Sequence, residues 1–105
     1  HGMMRGGGEP ALHPDLVKEI RKVCRIPLVL HGGSGNSDED FKKVIAAGIS
    51  IVHINTELRL AYRNGLRRFL QENPDEIAPY KFMKEGVREM AKVVEHKLKL
   101  FNGIL

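Results

Sequence analysis

Two apolar runs, Ile26–Leu30 and Ile49–Ile54, each follow an amphipathic segment with almost no connecting residues, and each is followed by another such segment. Apart from Pro27 at its start, the first has the uninterrupted aliphatic character of a strand buried on both faces of a parallel sheet, and the second, with Ser50 and His53 among its aliphatic residues, is of largely buried character. A helix–strand–helix alternation with minimal connections points to a parallel α/β arrangement. Right-handed crossovers then carry both strand ends, and with them His31 and Asn55, to one edge of the sheet. Ligands bind at that edge in α/β proteins.

The helical segments have recognisable ends. Pro14 opens the first, whose apolar residues Leu16, Val17, Ile20, Val23 and Cys24 recur at helical spacing up to Cys24 or Arg25. Ser37 reads as the N-cap of a second, with Asp38, Glu39 and Asp40 in its first turn and Gly48 closing it after Ala47. The third runs over Thr56–Glu72 and is broken by Asn73-Pro74-Asp75. After a turn through Ala78-Pro79-Tyr80, the fourth extends from Met83 to Phe101, with Val87, Met90, Ala91, Val94, Leu98 and Phe101 along its apolar stripe. Two full strands are too few to cover such sheet edges. The 105 residues are therefore expected to form the carboxyl-terminal part of a larger α/β domain, the last three strand–loop–helix units of a TIM (β/α)8 barrel. His1-Gly2-Met3-Met4 reads as the tail of an earlier strand, although a cloning remnant explains His1-Gly2-Met3 equally well on composition.

Between the first strand and its following helix lies His31-Gly32-Gly33-Ser34-Gly35-Asn36. Glycines let the backbone approach a ligand, and a loop rich in free amides beside a helix start makes an anion cradle. The formal net charge of +4 arises from Lys and Arg interleaved with Asp and Glu along helices, which argues against nucleic acid and suits a phosphorylated substrate. No apolar run approaches the roughly 18 residues a membrane span needs. The single Cys24 permits no intrachain disulfide and reads as packing in a reducing, cytoplasmic compartment. His13 and His96 read as surface or capping residues.

The segments Leu28-Val29-Leu30-His31-Gly32-Gly33-Ser34-Gly35 and Ile54-Asn55-Thr56-Glu57-Leu58-Arg59, with Glu72-Asn73-Pro74-Asp75-Glu76 and Lys99-Leu100-Phe101, resemble the zinc-dependent class II fructose-1,6-bisphosphate aldolases and their tagatose-bisphosphate relatives. The resemblance covers essentially residues 1–105 and implies a carbon–carbon lyase that cleaves a ketose 1,6-bisphosphate to dihydroxyacetone phosphate and glyceraldehyde 3-phosphate. It implies His1 and His31 as two of three metal-holding histidines, with Zn2+ or another divalent cation, and a monovalent cation as a further ligand. Gly2, Gly32, Gly33, Ser34, Asn55 and Thr56 would cradle the phosphate of the dihydroxyacetone phosphate half. The family's acid/base aspartate would lie upstream, so no catalytic residue is assigned here and this stretch alone is expected to be inactive. A homo-oligomer, dimer or tetramer, is also implied.

Two departures stand out. The family commonly has Asn-Val-Asn-Thr where this chain has His53-Ile54-Asn55-Thr56, so an imidazole replaces an amide at a substrate-contacting position. A common Asp-Pro-Arg-Lys segment, whose Arg serves the distal phosphate across a subunit boundary, is here Ala78-Pro79-Tyr80-Lys81, leaving Lys81 as the substitute. A non-catalytic phosphate-binding or assembly module derived from the barrel is the alternative reading.

Overall fold

The computed structural model describes residues 11–105, so His1, Gly2 and the expected strand tail lie outside the described residues. The order is α1 (Pro14–Val23), β1 (Leu28–Leu30), α2 (Asp38–Ala47), β2 (Ile49–Val52), α3 (Thr56–Glu72) and α4 (Pro79–Phe101). β1 and β2 pair in parallel, Leu28 with Ile49, Val29 with Ile51 and Leu30 with Val52, and the His53 N–H donates to the Leu30 carbonyl at 2.9 Å. The parallel α/β reading holds.

Helix ends follow local chemistry. The Ser37 hydroxyl accepts the Asp40 N–H at 3.2 Å and donates to the Asp40 carboxylate at 2.7 Å, so α2 begins at the expected cap. Gly48 ends α2 with φ 126°, a left-handed value that favours glycine, and its N–H returns to the Ile45 carbonyl at 3.1 Å. α1 stops at Val23, one residue before the expected end. Cys24, half-buried, is its C-cap, and its carbonyl accepts from Arg21.

α4 starts four residues earlier than Met83, because Ala78-Pro79-Tyr80 is a helix start and not a separate turn. Pro79 needs no N–H partner at a first-turn position. Ala78 has no capping side chain, and Glu76 supplies one by accepting the Ala78 N–H at 3.1 Å. That amide, with Lys81 second, holds the Glu76 carboxyl below the ordinary carboxylate range.

Phe41, Val44 and Ala47 of α2 and Leu100 of α4 make the buried apolar core, and the Phe41 and Phe101 rings meet at 5.4 Å with a 60° tilt. α3 and α4 form an antiparallel helical hairpin. Its axes approach closely at two glycines: a Cβ at Gly65 would stand 2.5 Å from the Glu85 carbonyl, and one at Gly86 would stand 2.6 Å from Leu66. Arg68 crosses this hairpin to Glu89 at 2.9 Å, and the hydrogen bond to Glu89, followed by its charge and that of neighbouring acids, raises the Arg68 pKa.

One packing expectation needs correction. The strands are not buried on both faces, since Val29 and Ile51 are exposed and β1 and β2 are the only strands among the described residues. The α4 stripe is divided: Phe101 packs on this core, while Val87, Val94 and Leu98 are exposed. Periodicity identifies an apolar face without saying what it packs on, and the glycine contact with α3 sets how α4 is rolled.

Candidate functional site

The strand register builds the site. Because Leu30 lies beside Val52, the next residues, His31 and His53, emerge together at the carboxyl edge of the sheet. Their Nδ1 atoms are 3.3 Å apart, and the nearly perpendicular rings have centroids 4.7 Å apart. Both side chains are exposed.

From His31 the chain turns through Gly32, with φ 65°, and sinks. Gly33 rests on the core, where a Cβ would meet Phe41 at 3.0 Å and Ile54 at 3.2 Å. Asn36 is buried and closes the turn, its backbone N–H and side-chain amide both donating to the Gly33 carbonyl at 3.3 Å. Among the described residues, none of the Gly32–Gly35 amides donates to a protein acceptor.

Ser34 is 2% exposed, and its hydroxyl accepts the Glu57 N–H at 3.2 Å. Asn55, the N-cap of α3, makes no side-chain capping bond, so Ser34 caps the helix from the neighbouring loop while Asn55 and Thr56 stay exposed. Ser34→Ala should therefore cost about 1 kcal/mol in chemical denaturation, the usual price of a lost helix cap. An unchanged midpoint would refute the capping role.

Two residues that sequence reasoning passed over hold this loop from beneath. Glu57 directs a carboxylate inward, and Lys97 of α4, 8% exposed, brings its ammonium 3.3 Å from Glu57 Oε2 and 4.6 Å from the Phe41 ring centroid. The Glu57 oxygen is buried and has no aligned hydrogen bond, so the lysine acts on it as a nearby charge. A signal for Lys97 was present: it falls four residues from both Val93 and Phe101, in line with the packed side of α4.

Other expected positions fall elsewhere. His96 is exposed and contacts Asp38 at 2.8 Å, while exposed His13 precedes α1 without a side-chain capping bond. Lys81 pairs with Glu76 at 3.2 Å. It lies past the far end of the 17-residue α3, about 25 Å along the helix from Asn55.

The donor chemistry at the strand edge fits a divalent transition ion, which imidazole nitrogens hold well. Among the described residues no cluster of three His, Cys, Asp or Glu is present, so they offer only part of a complete ligand set. No helix among them is long and apolar enough to cross a membrane.

Histidines, glycine amides and a helix start gathered at the carboxyl edge of parallel strands define an α/β ligand edge of the kind that takes phosphorylated ligands. Comparison with known proteins gives the family. The family described as Fructose-bisphosphate aldolase class-II matches residues 1–104, and the chain belongs to it. It is 39% identical over 103 residues to the sulfofructosephosphate aldolase of Alkalicoccus urumqiensis, covering 98% of this chain and 35% of that protein. It is 36% identical over 103 residues to the 6-phospho-5-dehydro-2-deoxy-D-gluconate aldolase of Bacillus subtilis, with the same coverage. The chain thus spans about a third of the length of these relatives. Among solved structures it is similar to the YdjI aldolase from Escherichia coli K12, with TM-score 0.74 and 36% identity over 88% of this chain and 34% of that one. The fructose-bisphosphate aldolase from Campylobacter jejuni shares the fold, with TM-score 0.73 and 22% identity over 87% of this chain and 35% of that one.

Proposed function

We propose that residues 1–105 are the carboxyl-terminal part of one metal-dependent aldolase barrel, contributing the last three strand–loop–helix units and one wall of its active site. The observation that carries this reading is the convergence of His31 with the Gly32–Ser34 loop and the Asn55–Thr56 helix start on one strand edge. The exposed apolar residues Val29 and Ile51 support the placement of further strands alongside.

In this reading the unclaimed amides of the Gly32–Ser34 loop, with Asn55 and Thr56, bind the phosphate of the dihydroxyacetone phosphate half. Ser34 contributes its amide to the ligand and its hydroxyl to α3. His31, with His1 and a histidine from elsewhere in the longer chain, would hold zinc. When bound, the ion supplies Lewis-acid polarisation of the ketone as the carbon–carbon bond is made or broken. Holding phosphate and carbonyl on adjacent residues of one loop fixes the orientation of the ketose, and much of the rate advantage of an enzyme comes from such positioning.

Fructose 1,6-bisphosphate is the substrate the sequence resemblance implies. A substrate with a single phosphate is the second reading: Ala78-Pro79-Tyr80-Lys81 lacks the distal-phosphate arginine, and Lys81, its substitute, is already paired with Glu76 at 3.2 Å. The names of the relatives fit that second reading, since neither names a bisphosphate. Assaying the full-length protein for dihydroxyacetone phosphate release discriminates. Fructose and tagatose 1,6-bisphosphates would be compared with sulfofructose phosphate and 6-phospho-5-dehydro-2-deoxy-D-gluconate. Cleavage of at least one, lost with a chelator and restored by zinc, is expected. No cleavage of any would leave the non-catalytic module standing.

A further inference from the structure

We infer that His53 is a second metal-binding imidazole of this strand edge, its Nδ1 joining the Nδ1 of His31 on one divalent first-row transition ion while the substrate is absent. This rests on the reading of His31 given above and adds a residue to it.

The argument is geometric. The two Nδ1 atoms are 3.3 Å apart while the ring centroids are 4.7 Å apart, so the rings converge toward these corners without stacking. Two nitrogens each 2.0–2.1 Å from a common tetrahedral ion stand about 3.3–3.4 Å from one another, the separation seen here. A hydrogen bond between the ring nitrogens, one donating and the other accepting, is the competing explanation at 3.3 Å, and the His53 variants below separate the two. Backbone structure holds the pair in place: the His53 N–H donates to Leu30, the residue before His31, so the ladder itself sets the spacing of the imidazoles. Both rings are exposed, so an ion reaches them without rearrangement of the core. No third His, Cys, Asp or Glu joins them among the described residues, and the remaining donors belong to the rest of the protein.

The chemical consequence concerns the resting site. A catalytic ion needs a position that substrate can take. An imidazole at position 53 keeps that position filled until the ketose arrives and then yields it, which an amide side chain, a poor ligand for such ions, does far less well.

The test uses the full-length protein, zinc-loaded and free of substrate. X-ray absorption at the zinc edge counts the imidazoles bound to the ion, and competition with a chromogenic chelator measures affinity. His53→Asn and His53→Gln each should lose one bound imidazole and bind zinc at least ~10-fold more weakly, with circular dichroism confirming that these exposed-site variants fold. An unchanged imidazole count in either folded variant overturns the proposal. If affinity falls while the count holds, His53 is a positioning residue hydrogen-bonded to His31. His31→Ala separates the two levels of inference. If it retains zinc with a full imidazole count, the metal role of His31 itself fails. If it loses zinc while both His53 variants keep their count, only the role of His53 fails.

Discussion

His31→Ala in the full-length protein should leave a folded molecule that no longer retains a stoichiometric divalent ion, with aldol cleavage reduced by at least ~10^3-fold. Lewis-acid polarisation by a bound ion is worth several kcal/mol, and each 1.36 kcal/mol of barrier is tenfold in rate, so losing the ion costs three decades or more. The fold should survive because the side chain is exposed and, among the described residues, its polar contact is with His53 alone. Metal analysis and a coupled dihydroxyacetone phosphate assay read the two effects separately. Retention of both metal and activity would remove His31 from the chemistry.

Phe41→Ala should have the largest effect on stability, about 3–5 kcal/mol, the usual range for deleting a buried aromatic side chain. Phe41 is 0% exposed and touches three separate things: the Phe101 ring, the Lys97 ammonium and the underside of Gly33. Its loss opens a cavity and also removes the aromatic face that shelters a buried cation. Denaturant unfolding of the full-length protein should show the change in midpoint. Phe41→Leu, which keeps much of the volume, should lose well under half as much, and equal losses for both would mean that volume is not what Phe41 contributes.

Local chemistry was legible in the sequence wherever a residue decides its own conformation. Ser37 as a cap, Gly48 as a helix end and the bounds of α3 all rest on backbone preferences expressed within one turn. The convergence of His31 and Asn55 on one edge followed from parallel strands alone. What could not be read were effects set by partners distant in sequence. Pro79 looked like part of a turn because its cap, Glu76, lies two residues before Ala78, outside the usual capping position. The α4 stripe was visible, but its roll was decided by a glycine contact with α3. Ser34 was recognisable as a loop residue beside a ligand edge, yet the bond of its hydroxyl to the Glu57 amide spans 23 positions. Lys97 stood in line with Val93 and Phe101, but its charge outweighed that signal, since a lysine on a helix ordinarily marks solvent.

The closed circuit of Gly33 on Phe41, Phe41 under Lys97, Lys97 beside Glu57 and the Glu57 amide on Ser34 has a thermodynamic corollary. Its entropy of ordering is met when the protein folds, so on the proposed reading a phosphate would meet a preorganised loop and forfeit little affinity to rearrangement. In hydrogen exchange the Glu57 amide should then be protected even without ligand, unlike the first-turn amides of a helix with a frayed start.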